Sequence, residues 1–195
     1  MKIALLVIDC QNDFLKNSSP YACQMFDDNL LKKIVQLISL CREKKIPIIY
    51  TQHSIKEDKS NAEIGEPSDV RACIIGTDGW KLVKSLSPKK GEFKVQKDKY
   101  DAFYGTDLNK ILKNLGIDTL ILSGVLTNNC VRATAEGAHY RGFNLLVVTD
   151  CCGATSYIKE VTDQEIHDIT LRDLEGRVYN TRLLNLEELR ENEVL

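Results

Sequence analysis

The amino-terminal part of the chain reads IALLVIDCQND over residues 3–13, and this stretch decides the fold class. Six apolar residues precede the first acid, Asp9, a pattern typical of a strand that is buried on both faces. An antiparallel strand with one face in water would alternate apolar and polar side chains instead. The stretch therefore predicts a strand of a parallel sheet that helices cover on both sides.

Other short apolar runs predict the remaining strands of the sheet. Four of them lie inside the chain, at residues 46–50, 93–95, 117–122 and 143–148. A shorter run at residues 177–179 predicts a strand at an edge. Between these runs, apolar residues recur with helical spacing, so strands and helices alternate. This alternation predicts an α/β fold with right-handed crossovers and a mainly parallel sheet.

The predicted helices have residues that can begin or end them. Asp27 or Asp28 can cap the first helix, and Thr106 can cap the second, which Gly116 can end in a left-handed conformation. A third helix is predicted over residues 129–141. Two more follow after residue 163, the last one from Glu187.

Residues 53–91 interrupt the alternation of strands and helices. Glycines and prolines divide this polar stretch, and one short helix is predicted at residues 80–86. A connection of this length either covers a functional site or is a surface loop without such a role, and the sequence favours the two interpretations equally.

The composition is that of an ordinary globular protein, with 43% hydrophobic and 28% charged residues in a chain of 195. This length favours a single domain over residues 1–195. The formal net charge of −2 gives no excess of positive charge, so we expect neither a nucleic-acid nor a membrane partner. The first apolar run is too short for a signal peptide or a membrane span, so we expect a cytoplasmic protein. The seven cysteines include no CxxC pair and are expected to be reduced thiols.

Residues that follow the predicted strands are the candidates for a site, because ligands of open parallel sheets bind beyond the carboxyl ends of the strands. Asp9 and Gln11 follow the first strand, His53 the second and Lys97 the third. After the fourth strand, Cys130 stands at the start of a predicted helix, where free amides and the helix dipole favour an anion. This setting lowers a thiol pKa and offers amides to a developing oxyanion. Cys130 is therefore the candidate nucleophile.

A cysteine nucleophile needs a base, and the chain has three histidines. His139 is excluded, because nine residues after Cys130 it faces the other side of the same helix, about 13 Å along the axis. His53 stands at a strand end and stays open as the base. Alternatively, Asp9 accepts the thiol proton while Lys97 supplies a fixed positive charge.

Three blocks of sequence share their order and spacing with one known family. They read LVIDCQNDFL at residues 6–15, KDKYDAFYGTDL at residues 97–108 and GVLTNNCVR at residues 124–132. On these blocks the chain resembles the isochorismatase-like cysteine hydrolases, which include nicotinamidases, N-carbamoylsarcosine amidohydrolases, ureidoacrylate amidohydrolases and isochorismatases. The resemblance implies a three-layer α/β/α fold with a six-stranded, mainly parallel, Rossmann-like sheet and helices on both faces. We also expect a homo-oligomer, either a dimer or a tetramer.

The resemblance also implies chemical roles. Asp9 would be the acid/base, Lys97 the charged partner and Cys130 the nucleophile of a catalytic triad. A cis peptide bond would join Val125 to Leu126, and the amides of Leu126 and Cys130 would form an oxyanion hole. Nicotinamidases of this family bind a metal ion through an Asp-x-His group after the second strand, where this chain reads TQH at residues 51–53. We therefore expect no metal ion and no cofactor.

The expected function is metal-independent hydrolysis of a small amide or ureido (N-carbamoyl-type) compound through a thioester on Cys130. The alternatives are cleavage of a vinyl ether of the isochorismatase type, nicotinamidase activity, a thiol redox protein, and an inactive relative that only binds a small molecule. Six residues are expected to contact the substrate, with a core position as the alternative for both phenylalanines: Gln11, Phe14, His53, Trp80, Phe103 and Tyr104.

Overall fold

The computed structural model describes residues 1–65, 67 and 69–191 of the chain. Its six strands form one sheet in which every neighbouring pair is parallel, as predicted. The strand order is β3-β2-β1-β4-β5-β6. The strands are β1 (Ile3–Ile8), β2 (Ile48–His53), β3 (Phe93–Lys97), β4 (Thr119–Val125), β5 (Asn144–Gly153) and β6 (Thr181–Leu184).

In the described part of the chain, five α-helices connect or follow the strands. The Asp27 side chain caps the first one by accepting a hydrogen bond from the Leu30 amide at 2.7 Å, and Gly116 ends the second with φ of 68°. A π-helical segment, Thr127–Val131, leads into the third. The helices are α1 (Asp28–Glu43), α2 (Leu108–Leu115), α3 (Arg132–His139), α4 (Asp163–Arg177) and α5 (Leu186–Glu191).

Two hydrophobic clusters cover the two faces of the sheet. Alternate residues of β1 and β2 enter opposite clusters, so that Leu6 and Ile49 lie in one and Leu5 and Tyr50 in the other. Helices α2, α3 and α4 pack on the first face, and α1 and α5 pack on the second. The predicted three-layer α/β/α arrangement is confirmed. Among the described residues, no helix combines the length and hydrophobicity needed to cross a bilayer.

Several predicted boundaries are wrong. The edge strand is Thr181–Leu184 and not residues 177–179, because the preceding helix α4 continues through Arg177. The predicted helix at residues 80–86 is reduced to a 3-10 turn at Lys84–Leu86. Strand β2 continues to His53 and β5 to Gly153, beyond the apolar runs, because pairing with their neighbours extends past the last apolar residue. Residues 192–195 of the predicted final helix lie outside the described residues.

Candidate active site

Asp9, Lys97 and Cys130 meet at the carboxyl edge of the sheet. The Lys97 ammonium lies 2.7 Å from Asp9 Oδ2 and 3.3 Å from Cys130 Sγ, and it also donates to the Lys99 carbonyl at 3.0 Å. The Thr51 hydroxyl donates to the other oxygen of Asp9, at 2.6 Å. The side chains of Asp9 and Lys97 are fully buried. The arrangement places one buried cation between a carboxylate and a thiol.

Three separate elements bring these side chains together. Asp9 directly follows β1, Lys97 ends β3, and Cys130 belongs to the π-helical segment after β4. At Gly124 a side chain would collide with the backbone of Ile8, so β1 and β4 approach closely only because this residue is glycine. Asp9 itself has φ of 49°, in the left-handed region, which turns the chain sharply at the end of β1.

The charges of the three groups follow from burial and from their contacts. Burial raises the pKa of Asp9, but Lys97, His53 and the hydrogen bonds to the carboxylate outweigh it, so the pKa is below its ordinary value. Burial lowers the pKa of Lys97, but the Asp9 carboxylate and Cys130 more than compensate and raise it. Burial raises the pKa of Cys130 to about 12, against the opposing effect of Lys97 and with support from Asp9. The resting site therefore holds a carboxylate, an ammonium and a neutral thiol.

The raised pKa of Cys130 corrects the expectation that the helix start alone would lower it. Cys130 is 7% exposed as a residue, so its thiol is poorly solvated, and a thiolate there would also face the ionised Asp9. Transfer of the thiol proton to Asp9 neutralises the Asp9 carboxylate and forms a thiolate on Cys130, so the net charge of the three buried groups is unchanged. Lys97 contacts both possible anions and can stabilise either of them. Asp9 is thus placed to act as the base for Cys130.

The chain just before Cys130 contains an unusual peptide bond and, among the described residues, a backbone amide without a partner. The peptide bond between Val125 and Leu126 is cis, at the place that the resemblance implies. The Leu126 carbonyl accepts hydrogen bonds from the amides of Asn129 and Val131, both at 3.1 Å, which fixes the turn of the chain before Cys130. Within the described part of the chain, the Leu126 amide donates no hydrogen bond. It is therefore available to a ligand, as an oxyanion hole requires.

A cavity of about 470 Å³ opens above Cys130. Phe14 and His53 line it, as expected for substrate contacts. Burial, followed by the charge of Lys97, lowers the pKa of His53 to about 4, so the imidazole is neutral at pH 7. Its Nδ1 is buried without a hydrogen-bond partner among the described residues. His53 is consequently a polar group of the cavity wall and too weak a base to take the thiol proton at neutral pH.

The structure places the other four expected contact residues elsewhere. The Gln11 side chain is fully buried and donates to the carbonyls of His53 and Trp80 at 2.9 and 2.8 Å. Trp80 lines a different cavity. Phe103 stacks on Phe143 in the core, and Tyr104 is 63% exposed on the surface. None of the four is among the residues that line the cavity above Cys130, so their role as substrate contacts stays a prediction that this cavity does not support.

Several cavity residues were not expected from the sequence. Asn129 directly precedes Cys130 in the sequence, and this position next to the nucleophile was the signal that could have identified it. Thr155 was missed because β5 was predicted to end at residue 148, whereas the strand continues to Gly153. Tyr100 lies in the block at residues 97–108 that carries the resemblance. The remainder come from segments without periodicity, and no sequence signal marks them: Pro20, Tyr21, Ala22, Gln24, Pro67, Val70, Ala72 and Tyr157.

The last three residues of β2 do not fit a metal ion. The Thr51 hydroxyl is engaged with Asp9, and the amide of Gln52 donates to the Trp80 carbonyl at 2.8 Å. Of this segment, only His53 lines the cavity. Across residues 1–65, 67 and 69–191, no three His, Cys, Asp or Glu side chains are grouped so that they could hold a metal.

The Isochorismatase domain model matches residues 3–181 of the chain. The chain belongs to the isochorismatase family. This isochorismatase-family hydrolase is 30% identical to nicotinamidase 3 of Arabidopsis thaliana, in an alignment covering 88% of the chain and 79% of that protein. It is 26% identical to ureidoacrylate amidohydrolase RutB of Methylorubrum extorquens, over 75% of the chain and 67% of that protein. An isochorismatase family protein from Desulfovibrio vulgaris has the same fold, with a TM-score of 0.84, 27% identity, and coverage of 98% of this chain and 97% of the other.

Proposed function

We propose that this hydrolase cleaves the C–N bond of a small amide or ureido compound, with Cys130 as the nucleophile and without a metal ion. The contact that carries the proposal is the buried Lys97 ammonium, which lies 2.7 Å from Asp9 and 3.3 Å from Cys130 Sγ. A cation held between a carboxylate base and a thiol is what thiolate formation in a buried site requires.

The reaction proceeds in two halves. The thiol proton passes to Asp9 while Cys130 Sγ attacks the substrate carbonyl, whose oxygen becomes negative and lies against the amides of Leu126 and Cys130. The tetrahedral intermediate collapses, Asp9 returns the proton to the leaving nitrogen, and ammonia or an amine departs from a thioester. In the second half, a water molecule gives a proton to Asp9 and attacks the thioester. The acid product leaves, and Cys130 takes back the proton.

The cavity and the relatives support an amide substrate. Aromatic and aliphatic side chains dominate the described wall, and its polar groups include Asn129, Thr155 and His53. Such a wall suits a small molecule with a flat or apolar acyl group and few polar atoms. Nicotinamidase 3 and RutB are both named for the hydrolysis of amide-type bonds, which favours C–N cleavage over ether cleavage.

The test measures ammonia release by the wild type, Cys130→Ala and Cys41→Ala over one substrate panel. The panel contains nicotinamide, N-carbamoyl amino acids, ureidoacrylate analogues and simple amides. Cys41 is the matched control, because it is also a buried free thiol but lies in α1, within the opposite hydrophobic cluster. We expect release by the wild type and the Cys41 variant, and none by Cys130→Ala.

Mass spectrometry of the wild type during turnover adds a direct readout, since the acyl group of the substrate should appear on Cys130. Full turnover by Cys130→Ala would refute the proposed nucleophile. Formation of pyruvate from isochorismate with no ammonia release from any amide would instead support vinyl-ether cleavage.

A further inference from the structure

A second cavity, of about 820 Å³, lies on the opposite side of strand β2 from Cys130. Gln52 shares a strand face with Tyr50, whereas Thr51 and His53 point to the face that carries the active site. The lining of this basic groove is distinct from that of the active-site cavity: Asn12, Lys16, Gln52, Asp78, Trp80, Lys81, Leu82, Val83, Lys84, Ser87, Pro88 and Lys94.

One polar atom on the wall of the basic groove lacks a partner. Gln52 is 2% exposed, and its Nε2 donates to the Trp80 carbonyl at 2.8 Å. Its Oε1 is buried and accepts no hydrogen bond from the described part of the chain. A buried acceptor without a hydrogen bond destabilises the fold, and a ligand with an N–H group would supply the missing hydrogen bond.

The rim of the basic groove carries an excess of positive charge. Of the twelve described residues that line it, four are lysines and Asp78 alone is an acid. Lys16 and Lys81 share this carboxylate, at 2.7 and 3.6 Å. Lys84 and Lys94 form no ion pair with any described carboxylate. An anionic group entering the groove therefore meets at least two uncompensated ammonium groups, which are suitable ligands for a phosphate.

Trp80 adds a flat aromatic wall to the basic groove. Its Nε1 donates to the Ser54 hydroxyl at 2.8 Å, which fixes the orientation of the ring. The Lys94 ammonium lies 5.7 Å from the ring centroid. An aromatic side chain fixed in this way offers a surface for a planar heterocycle, and bases stack on such surfaces with little dependence on their sequence.

We infer that the basic groove binds a nucleoside monophosphate, with its base against Trp80 and Gln52 and its phosphate among the lysines. Gln52 turns toward the groove so that its Oε1, which is buried without a partner among the described residues of the free protein, accepts from the exocyclic amino group of the base, and Lys84 and Lys94 contact the phosphate. The volume of about 820 Å³ falls within the range of small-molecule sites and leaves room for the ribose. This inference is independent of the reaction at Cys130.

The test is a titration with AMP, followed by the intrinsic fluorescence of Trp80, which is the single tryptophan of the chain. Calorimetry provides a second readout that does not depend on the indole. We expect saturable binding with a Kd of about 1 mM or tighter at low salt. Adenosine lacks the phosphate and ribose 5-phosphate lacks the base, so each should bind at least about tenfold more weakly.

Variants separate the two halves of the site. Lys84→Ala/Lys94→Ala should weaken AMP binding at least about tenfold, while Lys110→Ala, an exposed lysine of α2, should leave it unchanged. Gln52→Leu should reduce the preference for AMP over ribose 5-phosphate and leave the affinity for ribose 5-phosphate unchanged. Cys130→Ala should bind AMP as the wild type does, so that a failure of the proposed hydrolase function would not affect this result.

Three outcomes would overturn the inference. One is the absence of saturable AMP binding by both readouts. Another is equal affinity for AMP, ribose 5-phosphate and inorganic phosphate, which would reveal attraction of anions without recognition of a base. The third is full retention of AMP affinity in both the double lysine variant and Gln52→Leu.

Discussion

Replacing Lys97 by methionine should destabilise the protein strongly, because the change leaves the Asp9 carboxylate buried without a counter-charge. The pair is fully buried with N and O atoms 2.7 Å apart, and Thr51 would remain as the main hydrogen-bond donor to the carboxylate. Removing one partner of a buried ion pair costs about 3 to 5 kcal/mol, mostly through desolvation of the remaining charge. We therefore expect Lys97→Met to lower the free energy of unfolding by about that amount.

A surface pair of the same length serves as the control. Lys16 and Asp78 are also 2.7 Å apart, but their side chains are 46% and 67% exposed. Water screens such pairs, so Lys16→Met should cost at most about 1 kcal/mol. In addition, Asp9→Asn/Lys97→Met removes both buried charges and should recover a large part of the stability lost in Lys97→Met.

Urea denaturation of the wild type, Lys97→Met, Asp9→Asn, the double variant and Lys16→Met, followed by circular dichroism, gives the free energies of unfolding. The reasoning would be refuted if Lys97→Met lost no more stability than Lys16→Met, or if the double variant lost the sum of its two single changes. The pH dependence gives a further check with a defined sign. Because the folded pKa of Asp9 lies below its ordinary value of 3.8, its contribution is present above that pH and lost as the pH falls further.

Three further predictions concern proton transfer and helix capping. The value of kcat/KM should stay constant from about pH 5 to pH 8, because Asp9 is already ionised there. A rise of kcat/KM centred between pH 6 and 7 in a pH–rate profile would instead indicate a histidine base. His53→Phe should make the free energy of unfolding depend less on pH between pH 4 and 6.5. The folded wild type keeps His53 neutral down to a pKa of about 4, so it loses stability on acidification, by at most about 1.4 kcal/mol per pH unit. Denaturation of both proteins across this range would contradict the idea if their plots of unfolding free energy against pH were parallel. Asp27→Ala should lower the free energy of unfolding by about 1 kcal/mol, because the N-terminal cap of α1 is lost, and Asp28→Ala should lower it less. Equal melting temperatures for the two variants would contradict the assignment of Asp27 as the cap.

The sequence predicted those parts of the site that adjoin strongly patterned elements. Asp9, Lys97 and Cys130 each follow or end an apolar run, so the geometry of a parallel sheet places them at one edge. The helix caps at Asp27 and Gly116 were likewise predictable, because they depend on local backbone chemistry.

The cavity wall was predictable only in part. Tyr21 and Val70 come from loops without periodicity, and the hydroxyl of Tyr21 accepts from the Arg71 amide at 2.9 Å, a contact between segments distant in sequence. The position of Trp80 depends on hydrogen bonds to its carbonyl from Gln11 and Gln52. The electrostatics also required the fold, since burial outweighs the effect of the helix start on Cys130.

Gln11 continues the sheet where backbone pairing between β1 and β2 has ended. The last paired residues are Val7 and Tyr50, and beyond them the Gln11 side chain donates to the His53 carbonyl and accepts from the His53 amide at 2.7 Å. One primary amide thus imitates the peptide group of a neighbouring strand. Its NH₂ also donates to the Trp80 carbonyl, so a wall of the active-site cavity and a wall of the basic groove are held by the same nitrogen atom. Exchange of that nitrogen for oxygen, in Gln11→Glu, would alter no volume and yet set oxygen against two carbonyl oxygens, loosening both cavities at once.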